Sequence, residues 1–202
     1  MKDCMIDIET LGQSPRAVVL SIGAVFFDTA SGVIGEKAKW TLNLPEQIAT
    51  LQREINADTL LWWQEQSPEA RIALKQSSMC RIESAQTMSS FAEWLKRHAP
   101  GGTYVWGNGA TFDITILETL FEEVKVACPW SFRSVMDLRT FKRFVADGAK
   151  IEKLGVAHDA LDDAISQAHF VMSHQKTHLN KTMRPAPLAA SSNGRPVLTN
   201  GL

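Results

Sequence analysis

The stretch MIDIET, residues 5–10, lies in the first strongly apolar segment of the chain and carries two carboxylates. Because strand side chains alternate between two faces, Asp7 and Glu9 share one face, and Ile6 and Ile8 the other. Their Cα atoms would lie roughly 6.5–7 Å apart, so both carboxylates can reach one or two cations. Carboxylate oxygens suit Mg²⁺ or Mn²⁺. Two interpretations stay open: a metal site, or two acids on a solvent-facing strand.

The composition limits the classes of protein that the chain can belong to. Its 202 residues, 45% of them hydrophobic, suffice for one domain with a tail. The sequence has neither an apolar run of about 18 residues nor a basic start followed by an apolar block, so we expect a cytoplasmic protein without membrane contact. Three scattered cysteines argue against a disulfide framework. The formal net charge of −1 assigns any nucleic-acid binding to local patches.

The order of the predicted elements indicates an α/β fold. Period-two patterns predict strands over Lys2–Glu9, Ala17–Asp28 and Lys37–Leu44, with a hairpin turn at 28–32. Helical periodicity follows over 45–98, with breaks near Asn56 and at 67–68. The remaining predictions are a strand over 103–107, a helix over 112–124, an extended piece around Val135 and a helix over 159–176. We therefore expect a mixed sheet, an antiparallel three-strand meander followed by parallel strands, flanked by helices.

The C-terminal part of the chain differs in charge and composition. No acidic residue follows Asp163, and the sequence from Met183 onward is rich in Pro, Ser, Asn and Gly. We therefore expect a domain over residues 1–180 and a flexible basic tail over 181–202. The tail is either a solvated terminus or a weak nucleic-acid-binding arm.

A second motif is WGNGATFDITIL, residues 106–117, in which a predicted strand ends in a Gly-rich turn and leads into a helix. The apolar stripe of that helix includes Ile116 and Leu120, and Asp113 lies at its N-terminal end on the same side. An acid in the first turn is either a partner for the helix dipole or, facing the sheet, a third metal carboxylate.

A third motif is LGVAHDALDDA, residues 154–164, at the start of the last predicted helix. Asp159 is placed to cap that helix with Asp162 three residues on, so we interpret both as structural. Asp163 lies beside a face of small residues near the helix start. His158 precedes the helix on a loop, where an imidazole can take a proton from a water at a metal site near neutral pH.

Together these motifs resemble those of a known superfamily. Asp-x-Glu-Thr at 7–10, Asn-x-x-x-Phe-Asp at 108–113 and His-x-x-x-x-Asp at 158–163 resemble the motifs of the DEDDh 3′-to-5′ exonucleases, which have a ribonuclease H-like fold. The resemblance covers roughly residues 1–176. With WWQEQSPEAR at 62–71, the chain is most similar to small stand-alone bacterial and phage exonucleases, a branch with phage exonuclease A and a mycobacterial exoribonuclease.

The resemblance implies a set of catalytic residues and an activity. By the motif match, Asp7, Glu9, Asp113 and Asp163 are the metal ligands and His158 is the general base. The implied enzyme uses two Mg²⁺ or Mn²⁺ ions per site. It hydrolyses phosphodiester bonds of single-stranded DNA or RNA from the 3′ end and releases nucleoside 5′-monophosphates.

The resemblance also implies contacts with the terminal nucleotide. Thr10 and Leu11 match residues that hold it, and Asn108 and Phe112 are further candidates. Members of the superfamily are often homodimers, so a homodimer is expected here without a defined interface. The choice between DNA and RNA stays open, because a single contact with the 2′ hydroxyl can decide it.

Several interpretations compete with these assignments. A module that binds nucleic acid or a partner without cutting would be expected to lack an acid or the histidine, and none is missing. A ribonuclease H-type endonuclease would not need the His-x-x-x-x-Asp loop. Trp62 and Trp63 fit either core packing or base stacking, with at most one facing a groove. The surplus of basic residues over 133–153 either guides phosphates or is an ordinary mixed surface.

Overall fold

The computed structural model describes residues 2–146 and 148–182. The predicted tail over 181–202 lies outside the described residues from Met183 onward, and the last described helix extends to Thr182. Within the described ranges, no helix is long and apolar enough to cross a membrane.

A five-stranded mixed sheet forms the centre of the fold. Its first three strands form an antiparallel meander, and two later strands add in parallel on the other side of the first. The strands are β1 (Asp3–Thr10), β2 (Val19–Asp28), β3 (Val33–Thr41), β4 (Tyr104–Gly107) and β5 (Val135–Asp137), in the spatial order β3-β2-β1-β4-β5. This arrangement confirms the predicted meander followed by parallel strands.

Seven helices flank the sheet in the described part of the chain. They are α1 (Leu44–Ala49), α2 (Ala57–Glu65), α3 (Ile72–Met79), α4 (Ser84–His98), α5 (Asp113–Glu123), α6 (Leu138–Ala146) and α7 (Ala160–Thr182). The predicted break near Asn56 is confirmed, because the Asn56 side chain caps α2 by accepting a hydrogen bond from the Thr59 amide. Helix α6 was not predicted; it lies within the basic stretch over 133–153.

The two faces of β1 belong to different layers, as the alternation predicted. Cys4, Ile6 and Ile8 lie in the larger hydrophobic cluster, which also contains residues of α4 and α5. Met5 lies in a second cluster on the opposite face, where Ala164 and other residues of α7 cover the sheet. Because Asp7 and Glu9 have the parity of Met5, both point toward α7.

Gly23 in β2 allows α7 to lie close to the sheet. In the β1–β2 register it is paired with Asp7, at the centre of the sheet. A Cβ atom at Gly23 would overlap the backbone of Ala160 and Leu161, where α7 begins. The missing side chain therefore sets the distance between the first turn of α7 and β1, and with it the position of Asp163.

We predict that Gly23→Ala destabilises the protein by about 1–3 kcal/mol, because the overlap involves backbone that cannot rotate away. Urea unfolding followed by circular dichroism measures this change. Gly101→Ala is the matched control, because a Cβ atom there meets nothing within 4 Å. Equal unfolding midpoints for the two variants would contradict the close approach.

Candidate active site

Four carboxylates meet at the end of β1. Asp7 and Glu9 come from β1, Asp113 begins α5, and Asp163 lies in the first turn of α7. Oxygen atoms of Glu9 and Asp163 and a ring nitrogen of His158 lie within 4.8 Å of one another. The charge of Asp7 interacts with those of Asp113, Glu9 and Asp163. The structure thus brings together all five residues predicted as catalytic.

The turn before α5 places Asp113 beside the sheet. Gly109 has a φ of 114°, a backbone conformation in which a residue with a side chain would be strained. A Cβ atom at Gly107 would lie 3.1 Å from the Asp113 side chain, so this glycine lets α5 begin close to β4. Asp113 is only 3% exposed, which favours the sheet-facing interpretation over a solvated partner of the helix dipole.

Burial and mutual repulsion raise the pKa values of the β1 carboxyl groups. Burial raises the pKa of Asp7 well above its usual value, and the charges of Asp113, Glu9 and Asp163 raise it further. Burial is also the main cause that raises the pKa of Glu9 to about 8, followed by the charge of Asp163. In the absence of bound metal ions, the site therefore disfavours the ionised forms of Asp7 and Glu9.

Asp113 shows the same effect with more compensation. Burial raises its pKa to about 7. Hydrogen bonds from backbone amides, including those of Ile8 and Asn108, act in the opposite direction, as does the charge of Arg139. The α5 turn therefore stabilises the ionised form of Asp113 in part.

Two residues outside the predicted set contact the acids directly. Gln167 in α7 donates a hydrogen bond from Nε2 to Asp7 Oδ1 at 2.7 Å, and its own Oε1 is buried without a partner in the described structure. Lys153 Nζ lies 2.6 Å from Asp163 Oδ1. Neither contact has a sequence signal: a glutamine in a helix and a lysine in a loop are common at surfaces. Lys153 had been considered only within the basic stretch over 133–153.

The loop before α7 carries His158 to the edge of the acids. Its backbone amide lies 3.3 Å from Asp163 Oδ2, and its φ of 62° is unusual for a residue with a side chain. Asp159 Oδ1 accepts hydrogen bonds from two amides at the start of α7, and Asp162 Oδ2 accepts one from the Val156 amide at 2.8 Å. The structural interpretation of Asp159 and Asp162 is thus confirmed.

An open cleft of about 770 Å³ leads to the acids. Glu9, Thr10 and Phe112 line it, together with Trp62 and Arg139. The hydroxyl of Thr10 donates to the carbonyl of Gly12 at 2.7 Å, so it fixes the turn after β1. Thr10 and Phe112 therefore lie where contact with a nucleotide is possible.

The other two predicted substrate contacts are placed less favourably. Leu11 is 1% exposed and packs with Val18 and Trp63 in a third hydrophobic cluster, so residues of α2 cover its side chain. Its contact with the terminal nucleotide stays a prediction. Asn108 is not among the residues lining the cleft, and its amide instead interacts with Asp113.

Trp62 and Trp63 differ in burial. Trp63 is buried, and its indole Nε1 donates to the carbonyl of Thr10 at 2.8 Å, so it belongs to the core. Trp62 is 39% exposed and lines the cleft. Arg139, near the start of α6, also lines the cleft and is the cation from the basic stretch that reaches it.

Comparison with known proteins gives relatives among nucleases. The chain is 27% identical over 134 residues to a curated exodeoxyribonuclease of Enterobacteria phage T4, a match that covers 62% of this chain and 58% of the phage protein. The chain thus matches little more than half the length of that relative.

Solved structures share the fold at low sequence identity. The nuclease domain of 3′hExo, described as a DEDDh family member bound to rAMP, has a TM-score of 0.62 and 14% identity, with 86% of this chain and 91% of that chain covered. Exonuclease I of E. coli in complex with a dT13 oligonucleotide has a TM-score of 0.61 and 14% identity, with 89% and 43% covered. The expected ribonuclease H-like fold of the DEDDh exonucleases is thereby confirmed.

A family of protein domains matches nearly the whole described chain. The match extends over residues 2–175, which include the four acids, His158 and the cleft. It agrees with the motifs, with the fold and with the convergence of the acids at the end of β1. The chain therefore belongs to the family of 3′-5′ exoribonuclease Rv2179c-like domains.

Proposed function

We propose that this protein is a metal-dependent 3′-to-5′ exonuclease that acts on single-stranded nucleic acid and releases nucleoside 5′-monophosphates. The observation that carries the proposal is the convergence of Asp7, Glu9, Asp113 and Asp163 with His158 beside an open cleft. Family membership and the phage relative support the reaction type. Those relatives differ in substrate, since one is described as an exoribonuclease and the other as an exodeoxyribonuclease.

The residues present fit divalent cations. Three of the four acids have pKa values that burial raises, so their ionised forms are disfavoured without further positive charge at the site. The buried Oε1 of Gln167 is a further oxygen without a partner beside Asp7. Carboxylate and amide oxygens are donors for Mg²⁺ or Mn²⁺. We propose two such ions, held by Asp7, Glu9, Asp113 and Asp163.

The roles of the protein's own groups follow from their positions. Divalent ions at the acids would supply positive charge that stabilises the phosphate in the transition state. The imidazole of His158 lies within 4.8 Å of carboxylate oxygens of Glu9 and Asp163, where it can accept the proton of the attacking water. Gln167 fixes the orientation of the Asp7 carboxylate through its 2.7 Å hydrogen bond. The cleft binds the 3′ end, with Phe112 and Thr10 close to the acids and Arg139 available to phosphates.

Digestion of 5′-labelled single-stranded DNA and RNA of matched sequence tests the proposal. With Mg²⁺ or Mn²⁺ the wild-type protein is expected to produce a ladder that shortens from the 3′ end, and EDTA is expected to abolish it. Asp7→Asn is expected to remove activity because it removes a ligand charge without changing the volume. His158→Ala is expected to lower kcat by about 10²–10⁴, the usual contribution of a general base.

Glu36→Gln is the control for these variants. It also removes a carboxylate, but an exposed one in β3 outside the cleft and the four-acid cluster, so activity within about twofold of wild type is expected. Intact 3′ ends with every metal tested, despite a folded protein, would contradict the proposal and favour a binding module. The rates on the two substrates decide between DNA and RNA.

We further predict that the stability of the metal-free protein falls as the pH rises. The folded pKa values of Asp7, Glu9 and Asp113 are raised above their unfolded values near 4. Such groups stabilise the fold fully below the unfolded pKa, and this stability is lost as the pH rises through the folded pKa values, about 7 for Asp113 and about 8 for Glu9. In EDTA, the free energy of unfolding should fall by at least about 1 kcal/mol between pH 5 and 8.

Urea unfolding in EDTA at several pH values measures this fall. An Asp7→Asn, Glu9→Gln double variant should lose less stability over the same range, because two of the titrating groups are gone. Added Mg²⁺ should stabilise the wild type most at high pH, since metal ligands must be deprotonated. Identical pH profiles for the wild type and the double variant would refute this account of the cluster.

A further inference from the structure

Trp62 contacts the proposed general base directly. The Trp62 and His158 ring centroids lie 4.8 Å apart with an interplanar angle of 83°, an edge-to-face arrangement. Aromatic pairs favour this geometry at centroid distances of about 4.5–7 Å. Trp62 in turn packs edge-to-face on Trp63 at 5.3 Å, and Trp63 lies 6.5 Å from His158. The imidazole therefore has aromatic neighbours on α2 as well as the acids beside it.

The aromatic neighbours are themselves anchored to the strand that carries the acids. Trp63 is buried and bonded through its indole to the carbonyl of Thr10, the residue after Glu9. A chain of contacts thus leads from β1 through Trp63 and Trp62 to His158. Because each link is a packed ring or a hydrogen bond inside one domain, this chain fixes the imidazole relative to Glu9.

The backbone of His158 needs such support. Its φ of 62° lies in the left-handed region, which strains a residue with a side chain. Gly155, three residues earlier in the same loop, also has a positive φ of 82°. A strained conformation persists when surrounding contacts determine it. The contacts here are the amide of His158 on Asp163 and the ring of Trp62.

We propose that Trp62 is a positioning residue that holds the imidazole of His158 in place beside Glu9 and Asp163. This inference rests on the proposed function, because it assigns a role in proton transfer. The competing role, stacking of a substrate base on Trp62, would affect binding of the nucleic acid instead of the proton transfer.

A double-mutant cycle between Trp62 and His158 tests the inference. In the wild-type background, Trp62→Ala is expected to lower kcat at least tenfold with KM changed less than about twofold. In the His158→Ala background, the same substitution should change kcat by less than about twofold, because a residue that acts through another loses its effect when that residue is absent. Trp62→Phe, which keeps a ring, should recover most of the loss.

Leu61→Ala is the control for disturbance of α2, because Leu61 is the exposed neighbour of Trp62. It should leave kcat and KM within about twofold of wild type. A rise in KM without a fall in kcat on Trp62→Ala would overturn the inference in favour of base stacking. An equal loss of kcat with and without His158 would overturn it as well.

A spectroscopic measurement separates this inference from the proposed function. The imidazole proton and carbon resonances of His158, assigned by their loss in His158→Ala, should move in Trp62→Ala and Trp62→Phe and stay unchanged in Leu61→Ala. Unchanged His158 resonances in Trp62→Ala would refute the contact, whether or not the protein is active. If the His158 resonances move in Trp62→Ala but the wild-type protein degrades neither DNA nor RNA, the contact stands. The proposed function would then be refuted and, with it, the role of Trp62 in proton transfer.

Discussion

Repulsion among four carboxyl groups is the constraint on which the site depends. Asp7, Glu9, Asp113 and Asp163 come from three different elements; burial raises the pKa values of the first three, and the charges of neighbouring carboxylates raise those of Asp7 and Glu9 further. Such a cluster lowers the stability of the fold at neutral pH unless cations or protons neutralise it. Since Lys153 reaches only Asp163 directly, the arrangement is best explained by divalent ions.

The rest of the fold holds these groups together against that repulsion. β1 is the central strand, with hydrophobic clusters on both faces, so Asp7 and Glu9 extend from a strand that is packed on both sides. Gly23 lets the first turn of α7 lie against the sheet and brings Asp163 to Glu9. The stability of the two hydrophobic layers thus offsets the cost of the acids, as is common at functional sites.

Local patterns predicted much of this arrangement, and long-range packing decided what they missed. Strand alternation placed Asp7 and Glu9 on one face, because period two is a property of the backbone alone. The contact of Gln167 with Asp7 spans 160 residues and leaves no local pattern. Leu11 lies two residues after Glu9, yet α2 covers its side chain, which no local pattern indicates. Helix α6 does have a local signal, because Leu138, Phe141 and Val145 recur at helical spacing, so the sequence could have predicted it.

Binding of Mn²⁺ measured by calorimetry, in the wild type and in Asp7→Asn, tests the central claim most directly. The account predicts saturable binding to the wild type, at least tenfold weaker binding to Asp7→Asn, and an unfolding midpoint of that variant in EDTA equal to or above that of the wild type. Equal Mn²⁺ affinities, or a variant less stable than the wild type without metal, would contradict the claim that the acids are gathered to hold divalent ions.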